Sequence, residues 1–558
     1  MTDGALKVIH GRPRGRSAVL WSFVFVWLMF CGVSFLRAPV PGVNEPHYLC
    51  KARAMVSPGW CERDFFLQSQ NVHVCFLQLS GWVLDWLSFD AMAVAGRVIS
   101  AAVLAWGWLR LSGVVLRDGW WCAGAAGVYS VLTLTGSFSG EWILGGFESK
   151  VPAWGLGWGA VGLWIRGMVC GRWQLMVWGG LSCGMSVALH PVVGGWFGLG
   201  IAGASVFRGM QRGAVNREFW GLGIFTAAAI FASLPGLVPA VRFLLGSSEP
   251  SAVLERASFI QVYWRLRHHM DPTAIRGEQW LWALALVVVS GVAGVWLRRR
   301  IRLQIAESGD DESGVCWGVK SRSEGLSRLG LLWCCSCLAA ILGVCVGWHG
   351  EQLDAMEGWQ WRAGLLRFYP FRFFDGFLPC VVGIAMAGVW AEWVGSGRRV
   401  LGLRLGAGTG AVCICVCGCG LAWGLAYADR GMAPGGYTVE SWREWREVCG
   451  WLRENVAADA LVLTPRESFG FKWLAERAEY VSYKDCPQDA AGIVEWDRRL
   501  WRVHRWSAAS LSDGIYADED LERLQRETGC GFVLIRSQEP FARTAIWSGE
   551  YWRVYSTD

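Results

Sequence analysis

The stretch RPRGRSAVLWSFVFVWLMFCGVSFLRAPVPGVNEPHYL, residues 12–49, decides the fold. Arg12, Arg14 and Arg16 precede residues 18–37, which are almost wholly apolar. At about 1.5 Å per residue, such a run crosses the ~30 Å hydrocarbon core of a bilayer as one helix. No small-residue cleavage site follows it, so it reads as an uncleaved first span rather than a signal peptide. Beyond it lies Asn44-Glu45-Pro46-His47-Tyr48, a carboxylate followed by proline, histidine and tyrosine where the chain leaves the membrane. Such a combination has few structural uses in a mere connector, so Glu45 is a candidate for chemistry.

Further along the chain the apolar pattern recurs. Of 558 residues, 53% are hydrophobic and only 18% charged, where soluble domains carry about 25% charge. Mean hydropathy is +0.30. Ten more runs are expected to span, near 92–112, 119–137, 151–168, 173–189, 191–207, 220–245, 279–297, 328–348, 373–394 and 401–427. His190-Pro191 divides the 173–207 stretch in two, because proline ends or kinks a helix. The predicted fold class is an α-helical polytopic membrane protein of about 11 transmembrane helices.

Lys and Arg in the short loops set orientation. Lys7 joins the three early arginines to place the amino terminus, residues 1–17, in the cytoplasm. Alternation then gives the inner loops Arg110/Arg117, Arg166/Arg172, Arg208/Arg212/Arg217, Arg298 to Arg300 with Arg302, and Arg398/Arg399/Arg404. Every inner loop is basic. The net charge of +6 is therefore a topology signal and gives nucleic-acid binding no support. The transmembrane domain covers 18–427, with outer loops 38–91, 138–150, 246–278 and 349–372. Residues 303–327, rich in Ser, Gly, Glu and Asp, read as a flexible inner loop. An odd number of spans puts the tail, 428–558, outside. The tail is polar and mixed in charge, with strands expected at Phe532–Ile535 and Tyr551–Tyr555 and helices at Ser441–Val456 and Ala491–Arg502. It reads as a small α+β domain.

The cysteines carry little. Cys413, Cys415, Cys417 and Cys419 alternate along a span, so successive thiols face opposite sides and cannot close a tetrahedral metal site. Cys50 and Cys61 share an outer loop where a disulfide is permitted. Most of the 38 Trp belong to interface belts and packing.

Polar residues are sorted by side. Of eight histidines, only His10 is inner; His47, His73, His190, His268, His269, His349 and His504 are outer. Arg97, Lys150, Arg242, Arg362, Arg367 and Arg372 sit at outer ends of spans, against the positive-inside trend. Charge at membrane depth lines a polar cavity or pairs with an anion, and an anionic lipid head group suits these six. Snorkelling anchors are the plainer reading of each one alone. Four outer segments concentrate such groups. Asn44, Glu45, His47, Tyr48, Asp64 and His73 lie in the first, and Glu141 and Gly145–Lys150 with Glu148 in the second. The third is His190–Gly195, and the fourth, Arg367–Asp375, carries Tyr369, Arg372 and Asp375. In the tail, Arg466, Lys472, Arg477, Lys484, Asp485 and Asp489 form a polar cluster that would bind an acceptor, cover a site mouth, or simply be paired surface charge.

Together these residues resemble a family. Asn44–Leu49, Gly145–Lys150, His190–Trp196 and Arg367–Asp375 are similar to a group of uncharacterised planctomycete-type multi-pass proteins. The tail stretches Thr464–Trp473 and Tyr483–Asp489 resemble the conserved extracytoplasmic C-terminal domain of that group. More distantly, the first-loop carboxylate, the second acidic motif and the outer tail resemble the GT-C superfamily of membrane glycosyltransferases. That resemblance implies inverting transfer of a sugar from a polyprenyl-phosphate donor to an extracytoplasmic glycan, lipid or protein acceptor. It implies Glu45 as base, Glu148 as its helper, and Asn44, His47, Tyr48, Asp64, His73, Arg97, Lys150, His190, Arg367, Tyr369, Arg372 and Asp375 as substrate-binding residues. Asn44 stands where the superfamily commonly has a second acid. One carboxylate suffices for a base, so no cofactor is required; if a divalent cation takes part, Glu45, His47, Asp64 and Glu148 are its candidate ligands. Two other classes fit the topology. In a lipid or solute transporter or flippase, Glu45 and Glu148 would couple protons or substrate, although no span carries a charge clearly at its midpoint. A non-catalytic envelope protein would bind a partner through its tail.

Overall fold

A computed structural model describes residues 16–213, 215–246, 249–307, 318–350, 356–395 and 433–557. The apolar run after Arg16 forms α1 (Arg16–Arg37). The first connecting segment then folds into α2 (Glu45–Val56), α3 (Phe65–Gln68) and α4 (Val74–Leu84) rather than a loop. Long helices come next: α5 (Phe89–Ser112), α6 (Gly119–Thr135), α7 (Lys150–Cys170), α8 (Trp173–Leu189), α9 (Pro191–Arg212) and α10 (Val215–Leu245). After the short α11 (Ser251–Phe259) and α12 (Arg267–Met270) come α13 (Gly277–Glu307), α14 (Val319–Gly347), α15 (Trp359–Leu366) and α16 (Pro370–Gly395).

All ten runs expected to span before residue 395 are thus helical, and His190 separates α8 from α9 as Pro191 demands. By length and composition, 6 helical stretches among the described residues can cross a membrane: Ala18–Arg37, Phe89–Ser112, Val215–Leu245, Gly277–Glu307, Val319–Gly347 and Trp359–Val394. The chain is a mostly helical, multi-pass membrane protein. The expected span at 401–427, with its four alternating cysteines, lies outside the described residues. One correction concerns residues 303–327. Leu303 to Glu307 continue α13, and Val319 onward belongs to α14, because Arg, Leu and Gln around Arg298–Glu307 are good helix formers.

Small residues let the helices approach. A Cβ on Gly107 of α5 would lie 1.9 Å from the Gly155 carbonyl oxygen of α7. On α8, Gly180 and Gly184 sit one turn apart, and a Cβ on either would meet an α10 carbonyl oxygen, of Phe225 or Ala229, at 2.2 Å. This is the small-residue packing that holds helices together in lipid, where no hydrophobic force separates helix from solvent. Between them Phe30, Trp108, Tyr129 and Trp158 make edge-to-face contacts with centroids 5.4 to 6.3 Å apart,. Leu20, Ile99, Phe231, Leu281 and Val292 point outward and exposed, as lipid-facing side chains do.

Buried ion pairs gather at the two ends of the bundle. At one end Glu218 of α10 pairs with Arg328, and Arg322 with Glu392 at 2.9 Å. The other end receives the segments between α1 and α5, α6 and α7, and α10 and α13, together with the tail.

In the tail, Thr438 caps α17 (Val439–Asn455), whose Trp445, Val448, Cys449 and Leu452 recur at helical spacing and are buried,. Then come β1 (Leu461–Leu463), α18 (Phe471–Ala475), β2 (Ala478–Glu479), α19 (Ala490–Ser510), α20 (Asp518–Thr528), β3 (Phe532–Arg536), β4 (Trp547–Ser548) and β5 (Trp552–Ser556). The sheet order is β2-β1-β3-β5-β4, parallel among β2, β1 and β3 and antiparallel across β3-β5-β4. The expected strands and helices are all present. Cys50 and Cys61 are both buried and free of any disulfide.

Candidate active site

Pro46, unable to donate a backbone hydrogen bond, sits in the first turn of α2 and leaves Glu45 at its start,. The carboxylate turns inward onto Arg97 of α5. Arg97 Nε meets Glu45 Oε1 at 2.7 Å and Nη2 meets Oε2 at 2.7 Å, a bidentate pair with both side chains 0% exposed,. Glu45 also accepts the backbone N–H of Gly42 and that of Phe147, the latter at 2.6 Å. Arg97 donates further to the carbonyls of Ala38 and Pro39. No Cβ could be added at Gly42 without striking Arg97 Nη2 at 2.6 Å. Every acceptor position on Glu45 and all three guanidinium nitrogens of Arg97 are therefore engaged. Glu45, expected as a base, thus faces Arg97 and two backbone N–H groups, and Arg97, expected at a phosphate, donates to Glu45 and to the Ala38 and Pro39 carbonyls. They form a clasp that ties the first segment to the Gly145–Phe147 turn.

The clasp also fixes the residues just beyond that turn. Asn44 Nδ2 donates to Glu148 Oε2 at 2.8 Å, and Lys150 Nζ lies 3.4 Å from Glu148 Oε1. Lys150 also stands 3.8 Å from Glu141 Oε2, which Arg372 Nε approaches to 3.0 Å. Trp154 donates to the other Glu141 oxygen at 3.2 Å. Asp375, on α16, accepts the backbone N–H groups of Phe138, Ser139 and Glu141 at 2.6 to 2.9 Å and so shapes the turn that carries Glu141. The Arg372 guanidinium lies over the Tyr369 ring at 4.1 Å. Tyr369 has φ of +52°, a left-handed conformation that strains a side chain of this size. His190 Nε2 is 3.3 Å from Arg372, and its Nδ1 is 3.3 Å from the Val193 N–H. A neutral imidazole has one acceptor nitrogen, so only one of these contacts is a hydrogen bond at a time. The rings of His190, His73, Tyr48 and His47 continue the line at 4.6, 5.6 and 5.4 Å. Burial pushes the Glu148 carboxyl up against the pull of Lys150 and Asn44. Burial and then the Arg372 cation push His73 down to about 3, so this imidazole is neutral.

The tail closes the cluster. Lys472 of α18 is buried among three carboxylates, 2.5 Å from Asp485, 2.8 Å from Glu479 and 3.4 Å from Asp64. Asp64 caps α3 through the Leu67 N–H and accepts the Glu479 N–H, at 3.0 Å each. His47 Nδ1 meets Asp485 at 3.0 Å. Burial pushes Asp485 up, but Lys472 and His47 hold it well below the usual carboxylate range. Lys472 is raised well above its ordinary value by Asp485, Asp64 and Glu479 in spite of burial.

Of the expected residues, Asn44, His47, Tyr48, Asp64, His73, Glu148, Lys150, His190, Tyr369, Arg372 and Asp375 belong to one connected network. Arg367 does not. It lies near Ser258 and, with Arg242, lines a groove of about 900 Å³ beside α4 and α10. Arg362 reaches the last carbonyls of α14 and caps it,. The ligand set considered for a divalent cation does not fit. Glu45, Glu148 and Asp64 each face a different cation, and His47 faces Asp485. Among the described residues no group of three or more His, Cys, Asp or Glu is arranged to hold a metal ion. Glu141 lies in the second outer segment without an expected role, Lys484 belongs to the tail cluster that the sequence offers as cover for a site mouth, and Arg265 is a neighbour that the sequence does not single out. Only a fold that brings distant segments together reveals them.

Residues 443–503 match the family model described as Domain of unknown function (DUF6798). The match includes both tail stretches, Thr464–Trp473 and Tyr483–Asp489. No curated protein matches the chain in sequence. The structure is similar to the crystal structure of ArnT from Cupriavidus metallidurans bound to undecaprenyl phosphate, at 11% identity and a TM-score of 0.40, covering 98% of this chain and 99% of that one.

Proposed function

We propose that the chain is a membrane glycosyltransferase of GT-C type, moving a sugar from a polyprenyl-phosphate donor to an extracytoplasmic acceptor. It would reside in the cytoplasmic membrane with its amino terminus inside and its tail outside. The observation that carries this reading is the buried run Glu148–Lys150–Glu141–Arg372, set at the tail end of the helices and away from their middles. Transporters place coupling charge near the midplane instead.

In this reading Glu148 replaces Glu45 as the base. Among the described residues its Oε1 has Lys150 at 3.4 Å and no hydrogen-bond partner, and its raised pKa strengthens it as a proton acceptor,. Glu148 takes the acceptor hydroxyl proton as that oxygen attacks the anomeric carbon, and the bond from that carbon to the phosphate oxygen breaks with inversion. Lys150 and Arg372 stabilise the charge left on the phosphate. Glu45 and Asn44 position Glu148. Glu148 and Lys150 are 2% and 6% exposed, so donor entry displaces part of the cover. The test is sugar transfer from an undecaprenyl-phosphate donor by the full chain in nanodiscs. Glu148→Gln should lower turnover by at least about a hundredfold, the low end of what a general base contributes, while circular dichroism shows the parent's helical content. Undiminished transfer by that variant would remove Glu148 as the base.

A further inference from the structure

Lys484 differs from Lys150, Arg372 and Lys472 nearby. Lys150, Arg372 and Lys472 each have a carboxylate within 4 Å. Among the described residues, no carboxylate or hydrogen-bond acceptor is found for the Lys484 ammonium. Its backbone is nonetheless held on every side. Tyr483 N–H donates to the Arg466 carbonyl at 2.8 Å, Arg265 donates to the Lys484 carbonyl at 3.3 Å, and Asp485 is fixed by His47 and Lys472. Four residues on, Gln488 accepts the Val72 N–H at 3.1 Å. Lys484 lines a small cavity with Val43, Pro46 and His47, the residues flanking Asn44 and Glu45. Arg265 likewise has no carboxylate within 4 Å among the described residues. Its Nε is buried without a partner, and its guanidinium lies 4.6 Å over Tyr483. Rigid backbone with an uncompensated cation is costly to maintain beside a buried site unless an anion arrives to complete it.

We propose that the tail supplies Lys484 as a ligand for the donor phosphate, so that the C-terminal region completes the site rather than only covering it. This rests on the glycosyltransferase reading. Lys472, Asp485 and His47 act as positioning residues that hold the 483–489 segment against Pro46 and His47, next to Asn44 and its partner Glu148. The ligand chemistry is a phosphate ester on an isoprenoid chain, with the ammonium as a point charge and three-way donor.

Binding of undecaprenyl phosphate to the full chain in nanodiscs, followed by tryptophan fluorescence, tests this. Lys484→Ala should bind it roughly tenfold more weakly, the scale of one lost charge-assisted hydrogen bond, and Lys484→Arg should bind within a few-fold of the parent. Glu148→Gln should retain binding while losing transfer. Parent-like affinity in Lys484→Ala would overturn the role of the tail and leave the Glu148 assignment standing. Absence of binding by the parent chain would overturn both. Inorganic phosphate competing as strongly as the lipid would overturn the assignment to a lipid head group. Circular dichroism of each variant guards against misfolding, with Lys484→Arg as the second variant.

Discussion

Glu45 has a partner that its local sequence does not announce, the Arg97 guanidinium at 2.7 Å. As a free base it would tolerate amidation without loss of stability. As half of a bidentate pair with Arg97 it cannot, because Glu45→Gln leaves a buried guanidinium facing a neutral amide. Breaking such a pair from one side costs about 3–5 kcal/mol. The purified Glu45→Gln protein should therefore melt well below the parent in detergent. Replacing both partners, as in Glu45→Gln with Arg97→Met, should be milder than Glu45→Gln alone, since no uncompensated charge remains. An unchanged melting temperature together with lost transfer would return Glu45 to the role of base. The sequence shows a carboxylate at a membrane exit, but Arg97 lies 52 residues away, and nothing local to Asn44-Glu45-Pro46 announces that it is already engaged.

At the scale of elements, the glycines of α5, α7 and α8 set how closely the helices carrying the site can lie. The interface of α5 with α7 matters most, since α5 carries Arg97 and Lys150 begins α7. Gly107→Ala would press a methyl against the Gly155 carbonyl at 1.9 Å, which backbone can relieve only by moving the helices apart. Overpacking of this kind costs about 1–3 kcal/mol. Gly223, with nothing within 4 Å of an added Cβ, is the control: Gly223→Ala should be neutral or slightly stabilising, as alanine favours helix. Thermal melts of the two variants check this. The apolar runs and His190-Pro191 made these helices legible. Their pairing was not, because a glycine serving close approach looks the same in sequence as one that weakens a helix.

At the scale of the molecule, the Lys472 cluster joins the tail to the first connecting segment. Its pH dependence comes from opposite groups. Asp485 has a lowered folded pKa, so its contribution is present above the unfolded value, about 3.9, and is lost as pH falls below that. Lys472 has a raised folded pKa. Its contribution is full below the unfolded value, about 10.4, and disappears only as pH rises through the folded one. Asp64, raised by burial, works against Asp485 and trims the acid side. The tail should stay docked between about pH 5 and 9 and loosen below about pH 4. Lys472→Met should loosen it at neutral pH by leaving three buried carboxylates without their cation. Hydrogen exchange in β1 and β2 across that range reads both effects, and equal protection in Lys472→Met and the parent would show that the cluster does not hold the tail.

The sequence by itself determined the helical multi-pass class, the positions of the long apolar helices, the mixed α+β tail and the set of polar segments that meet at one end. Apolar length, basic loops and strand alternation are local signals, and each is written within a few tens of residues. Tertiary structure alone decided which charges are satisfied and which are not. It closed Glu45 onto Arg97, left Glu148 against Lys150, and brought Lys484 from the tail to residues more than three hundred positions earlier in the chain. The physical reason is that a buried charge is defined by its partner, and partners across a fold have no spacing rule for a sequence to display.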